Sequence, residues 1–175
     1  NISNNFDAVI SKISSTILII FYIPFLFVFV GNLSVLEYSR EFLVLFLLLV
    51  FACDSFAWFF GVLFGNGTRG LISVSKNKSL IGFIGGIVST IAIAYTYSLF
   101  FPHVFLGYHI KVSITGLCTA LAAICGDLAE SALKRSAAVK DSGSIMPGRG
   151  GIMDSIDSIL FAAPIYYMLI MFFFV

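Results

Sequence analysis

Apolar residues in this chain come in long unbroken runs, not in strand-like alternation. Five runs stand out, from about Ser14 to Val30, Phe42 to Phe64, Leu80 to Phe101, Val112 to Leu133 and Ser158 to Val175. Each is long enough, or nearly so, to cross a hydrocarbon layer of about 30 Å. A lipid-exposed backbone must satisfy its own hydrogen bonds, as a helix or as a closed barrel. Barrel strands would alternate polar and apolar positions, and these runs do not. The pattern predicts an all-α integral membrane protein with about five transmembrane helices, forming a single domain over residues 1–175.

Composition agrees. Of the 175 residues, 59% are hydrophobic and 11% charged, where a soluble domain carries about 25% charged residues. That excludes a soluble globule, a disordered chain and a basic nucleic-acid binder. The net charge of +1 is silent about partners, but its placement is not. Seven of the ten basic residues fall in two connections: Arg69, Lys76 and Lys78 in 65–79, and Lys134, Arg135, Lys140 and Arg149 in 134–157. The positive-inside rule predicts that both loops are cytoplasmic, with the C-terminus on the far side. The chain starts at Asn1 and shows no basic leader with a cleavage site, so it is expected to be part of a longer protein. Cys53, Cys118 and Cys125 have no metal or redox spacing and are expected to be small buried apolar residues. His103 and His109 are expected to be solvated or interfacial.

Acidic groups inside apolar runs carry the functional signal. Asp54 interrupts the second run, and Asp127 and Glu130 lie near the end of the fourth. A carboxylate at the bilayer centre costs about 2.5–3.5 kcal/mol on insertion scales, and such groups face cavities, pathways or partners. Asp127, Glu130 and Lys134 share one helix face, with Glu130 and Lys134 an i,i+4 pair. Asp154 and Asp157 are three apart at the start of the fifth run. Hard oxygen ligands with few His or Cys favour Mg²⁺, which is held by one or two carboxylates plus substrate phosphates. Nearby Lys and Arg can hold the remaining phosphate charge. The combination points to transfer at a phosphorus centre. Gly82 and Gly86 form a GxxxG at the start of the third run, expected to pack helices closely. The glycine-rich stretch Gly143 to Gly151 interleaves with charge, unlike a simple linker.

Ser131-Ala-Leu-Lys134-Arg135, followed after four residues by Lys140-Asp141 and then by Pro147-Gly148-Arg149-Gly150-Gly151-Ile-Met-Asp154-Ser155-Ile-Asp157, resembles the signature of the phosphatidate cytidylyltransferases. The match extends upstream to Gly126-Asp127 and Glu130. A second region, from Asp54-Ser55 through Phe60-Gly61 and Phe64-Gly65 to Ser75–Ser79 and Gly82-Phe83-Ile84-Gly85-Gly86, is also similar to that family. The resemblance covers roughly residues 50–165, with the signature at 126–157. Arg149 stands where the family has His, Ser155 where it has Arg, and Asn77 and Ile81 where it often has Lys and Glu. The resemblance implies a reaction of CTP with phosphatidic acid, giving CDP-diacylglycerol and pyrophosphate, at a cytoplasm-facing site in a bacterial inner or plasma membrane. It implies Asp127, Lys134, Arg135, Lys140, Asp141, Asp154 and Asp157 as catalytic residues. Ser75, Lys76, Lys78, Ser79, Arg149, Gly150 and Gly151 would contact substrate. Asp54, Asp127, Asp154 and Asp157 would hold Mg²⁺, with room for a second cation. Two other readings stay open: a CTP-dependent polyprenol or phytol kinase, and a non-enzymatic membrane transporter. Membrane lipid is an expected partner, and a homodimer is permitted without being required.

Overall fold

The computed structural model describes residues 9, 13, 16, 24–70, 75, 78–139, 142, 143, 151 and 153–175, with the backbone alone at Ser155. Its elements are α1 (Pro24–Leu33), α2 (Ser39–Phe64), a 3-10 turn (Gly65–Gly67), α3 (Leu80–Phe100), the one-turn α4 (Pro102–Phe105), α5 (His109–Ser136) and α6 (Met153–Phe174). Four helices among the described residues are long and apolar enough to cross a membrane: α2, α3, α5 and α6. The first expected span is described at Thr16 and again from Pro24, where α1 is a shorter apolar helix. The expected count of five is therefore four among the described residues.

Helix ends follow local chemistry. Ser79 caps α3, its hydroxyl accepting from the Gly82 amide at 3.1 Å, which satisfies one of the amides left over at a helix start. Lys134 and Arg135 occupy the last turn of α5, and Asp154 the first turn of α6. Both placements complement the helix dipole. Pro102 opens α4, where a missing amide costs nothing.

Small residues set how closely the helices approach. A Cβ on Gly82 would stand 2.5 Å from the Ala57 carbonyl oxygen, and one on Gly86 2.8 Å from the Cys53 carbonyl oxygen. The expected GxxxG is thus the seam between α3 and α2, on either side of Asp54. Gly126 plays the same part between α5 and α6, where an added Cβ would stand 2.8 Å from the Asp157 carbonyl oxygen. Backbone contact at that point brings Asp127 and Asp157 to the same level.

The four long helices run antiparallel in sequence, so the bundle has two unlike ends. One holds the start of α2, the end of α3, α4 and the end of α6. It is aromatic, with Phe105 in edge contact with Phe42, Tyr97 and Phe174. Hydroxyls stitch it: Tyr166 donates to the Phe42 carbonyl at 2.8 Å and Tyr97 to the Glu41 carbonyl at 3.1 Å. His109 accepts or donates at 2.7 Å to Ser98, and His103 is exposed against the Tyr38 ring. The described basic residues Arg69, Lys78, Lys134 and Arg135 lie at the other end. Of the cysteines, Cys53 is buried as expected, while Cys118 is half-buried and Cys125 exposed. The outward face of α5 at Cys125 explains the difference: an apolar thiol is tolerated in lipid as readily as in the core.

Candidate functional site

Asp54 comes from the middle of α2, Asp127 from the last third of α5, and Asp157 from the second turn of α6. These helices meet at the basic end, and the side chains border shared space. A cavity of about 220 Å³ is lined by Asp54, Asp127, Asp154 and Asp157, with Ser55, Ser158 and Phe51. Asp157 is buried at 5% exposure, and its carboxylate accepts from the Ser158 amide at 2.7 Å. The Ser158 hydroxyl reaches Asp54 at 3.5 Å, tying α6 to α2.

A second cavity of about 530 Å³ shares Asp54 and Asp127 with the first. Its polar wall is Arg69, Ser75, Lys78 and Ser79, and its apolar wall includes Trp58, Val62 and Phe83. Lys78 forms an ion pair with Asp127 across it. The Lys78 ammonium is buried and makes no conventional hydrogen bond, so Asp127 is its counter-charge. Gly61 and Gly65 make room for this wall: an added Cβ would stand 3.0 Å and 2.5 Å from the Ser79 hydroxyl.

Lys134 belongs to a separate cluster. Its ammonium pairs with Glu130 one turn back on α5 and with Asp154 at the start of α6. Glu130 and Asp154 side chains are only 3% and 6% exposed. The other Asp154 oxygen accepts from the Ser142 amide at 2.9 Å, the Ser142 hydroxyl at 2.7 Å and the Gly151 amide at 2.6 Å. Burial alone would raise the Asp154 carboxyl, but the Lys134 ammonium, the Ser142 hydroxyl and the two amides outweigh it. They hold its pKa well below the usual carboxylate range. Gly151 is needed here, because an added Cβ would collide with the Ser142 hydroxyl.

The structure thus brings together Asp54, Asp127 and Asp157 around one cavity, and Ser75, Lys78 and Ser79 around its neighbour. Asp154 borders the carboxylate cavity, yet its acceptor positions are taken by Lys134, Ser142 and Gly151. Arg135 is exposed on the last turn of α5, bonded to the Val139 carbonyl at 3.5 Å. Lys76, Lys140, Asp141, Arg149 and Gly150 lie outside the described residues. Arg69 and Ser158 were missed as site residues by the sequence reading. In the sequence Arg69 is only one basic residue of its loop, and Ser158, next to Asp157 on α6, has no signal of its own.

No three His, Cys, Asp or Glu side chains among the described residues stand close enough, as placed, to hold one metal ion. In donor chemistry the carboxylate cavity nevertheless fits a hard divalent cation: four acids and two serines, with no sulfur or imidazole at its wall. Asp127 currently has an ammonium as its positive neighbour.

The chain matches the family described as "Cytidylyltransferase family" over residues 1–173. It is similar to the phosphatidate cytidylyltransferase of Bacillus subtilis (strain 168), with 36% identity over 82% of this chain and 52% of that protein. Against the protein of the same name from Haemophilus influenzae the identity is 38%, over 74% of this chain and 46% of the relative. The one from Thermotoga maritima is 39% identical over 66% of this chain and 43% of the relative. The chain spans about half the length of the curated relatives it matches.

Proposed function

Since the chain belongs to the cytidylyltransferase family, we propose that it carries the site for Mg²⁺-dependent transfer of a cytidylyl group from CTP to phosphatidic acid. The products are CDP-diacylglycerol and pyrophosphate. One observation supports this above the others: a cavity lined by carboxylates adjoins a cavity lined by cations, and Asp54 and Asp127 border both. Phosphoryl chemistry needs both kinds of charge at adjacent points.

In the proposed reaction a lipid phosphate oxygen attacks the α-phosphorus of CTP, and the bond to the β,γ-pyrophosphate breaks. Asp127, Asp157 and Asp54 would hold Mg²⁺. The ion would supply charge neutralisation on the phosphates. Lys78, released from Asp127, would pair with a phosphate oxygen. Ser75 and Ser79 would donate from the same wall. Arg135 would meet the triphosphate from the water side. Lys134 and Asp154 serve the site indirectly, by fixing the start of α6 to the end of α5 and so placing Asp157. Lys76, Lys140, Asp141, Arg149, Gly150 and Gly151 have their substrate and catalytic roles from the resemblance. The apolar wall at Trp58 and Val62 suits a substrate arriving from the bilayer, and the positive-inside rule applied to the basic loops supports a site that faces the cytoplasm.

The test is turnover of labelled CTP with phosphatidic acid and Mg²⁺ by the purified chain in detergent with lipid. A CDP-lipid with equimolar pyrophosphate is expected. Release of CDP with a phosphorylated alcohol would replace the reading with a lipid kinase. Solute flux without nucleotide dependence, and no CTP binding by the folded chain, would replace it with a transporter.

A further inference from the structure

Arg69 is a charged group that neither the signature nor the metal site accounts for. It lines the 530 Å³ cavity together with Lys78, Ser75 and Ser79. Its backbone pairs with Ser79 in an antiparallel bridge, so its position is tied to the capped start of α3. Its guanidinium Nη2 donates to the Gly61 carbonyl at 3.0 Å, and its Nε would lie 3.8 Å from a Cβ built on Gly65. One N–H is thereby used to aim the group, and the rest of the five-donor fork remains. Lys78, on the same wall, is neutralised by Asp127. Arg69 makes no ion pair with a carboxylate among the described residues.

We propose that Arg69 is a substrate-binding residue that seats the phosphomonoester headgroup of the lipid substrate in the cavity between α2 and the start of α3. An arginine fork matches two phosphate oxygens at once, and a planar guanidinium is suited to that geometry. A phosphomonoester could come from a lipid or from the terminal phosphate of a nucleotide. The cavity favours the lipid. Trp58 and Val62 line it and are 70% and 47% exposed on a membrane-spanning helix, so its mouth opens on the side where acyl chains lie. This inference rests on the proposed lipid substrate and adds to it a residue that selects for the headgroup.

Trp58 is the chain's one tryptophan and sits in the cavity wall, so intrinsic fluorescence reports occupancy without turnover. The purified chain in detergent would be titrated with dioctanoyl phosphatidic acid and, separately, with CTP and Mg²⁺. Arg69→Ala should raise the half-saturation concentration for the lipid about tenfold, the scale for losing a hydrogen bond between charged groups. CTP binding, read by equilibrium dialysis, should stay unchanged. Arg69→Gln keeps an N–H for Gly61 without the charge and should weaken the lipid as Arg69→Ala does. Arg69→Lys should recover part of the affinity. Equal lipid binding by wild type, Arg69→Ala and Arg69→Gln would overturn the proposal while leaving the proposed reaction standing. A loss falling on CTP instead would overturn the lipid assignment. A folded wild type that binds neither ligand would remove the proposed reaction, and this inference with it.

Discussion

Asp154 accepts hydrogen bonds from an ammonium, a hydroxyl and two backbone amides, whereas Asp127, at the same end of the bundle, faces the Lys78 ammonium and borders both cavities. The sequence makes the two look alike, since each is an acid at a helix end beside a basic loop. Their surroundings separate them. A carboxylate whose acceptor positions are filled by its own chain must give up those bonds to take a ligand. One that faces a single counter-charge can exchange it for another at small cost. The first kind is suited to a scaffold, and in the proposed function the second kind is the site.

Removing the cation of each pair tests that division most sharply. Lys134→Met leaves Glu130 and Asp154, both nearly buried, without their shared counter-charge. Breaking a buried pair from one side costs about 3–5 kcal/mol. A thermal melt in detergent should show a large drop, with activity lost through unfolding. Lys78→Met should shift the same melt far less, because its partner Asp127 is 31% exposed and pairs in contact with solvent contribute about 0–1 kcal/mol. Equal losses would erase the distinction.

Asp127→Asn should show the opposite profile. Turnover is expected to fall about a hundredfold to a thousandfold, the scale for deleting one preorganised charge-stabilising group, a loss well beyond what the melt accounts for, even though the buried Lys78 ammonium loses its counter-charge. Asp154→Asn in the same assay should lose activity in proportion to lost structure. A variant at Asp127 with near-normal turnover would remove it from the proposed metal site.

The helices were legible because lipid leaves a chain few choices. The run expected over Phe42 to Phe64 is α2 at Ser39–Phe64, and that over Leu80 to Phe101 is α3 at Leu80–Phe100. The convergence of Asp54 on Asp127 and Asp157 was foreshadowed by the cost of acids in apolar runs, since each had to face something polar. What the pattern could not show was pairing. Whether Lys134 turned to Glu130, to Asp154 or to a substrate depended on how far α6 lay from α5, and Gly126 sets that distance. Arg69 escaped notice for a similar reason: only the bridge to Ser79 turns a generic loop cation into part of a cavity wall.

The glycine seams offer a way to disturb the site without touching its charges. Gly86→Val would drive side-chain carbon against the Cys53 carbonyl, where even a Cβ stands 2.8 Å away. The obstacle is backbone, so α2 must shift or α3 must part from it, at about 2 kcal/mol for an overpacked contact. Asp54 follows Cys53 directly and should move with it. Turnover should fall more than the melt suggests, whereas Gly31→Val, where nothing lies within 4 Å, should leave both unchanged.

The smallest effect concerns pH. The Asp154 pKa is lowered in the folded chain, its hydrogen bonds outweighing the opposing effect of burial. A group with a lowered folded pKa contributes stability that is present above its unfolded value, about 3.9 for Asp, and is lost as pH falls toward the folded value. Asp154→Asn should therefore melt lower than wild type by a constant margin from pH 5 upward, worth about 1.5 kcal/mol as a hydrogen bond to a charged group. Below about pH 4 the margin should shrink, because wild type then loses the charge the variant never had. If the margin between wild type and Asp154→Asn stayed constant below pH 4, the carboxylate would not be held charged by these hydrogen bonds, and its part in the scaffold at this end of the bundle would fail.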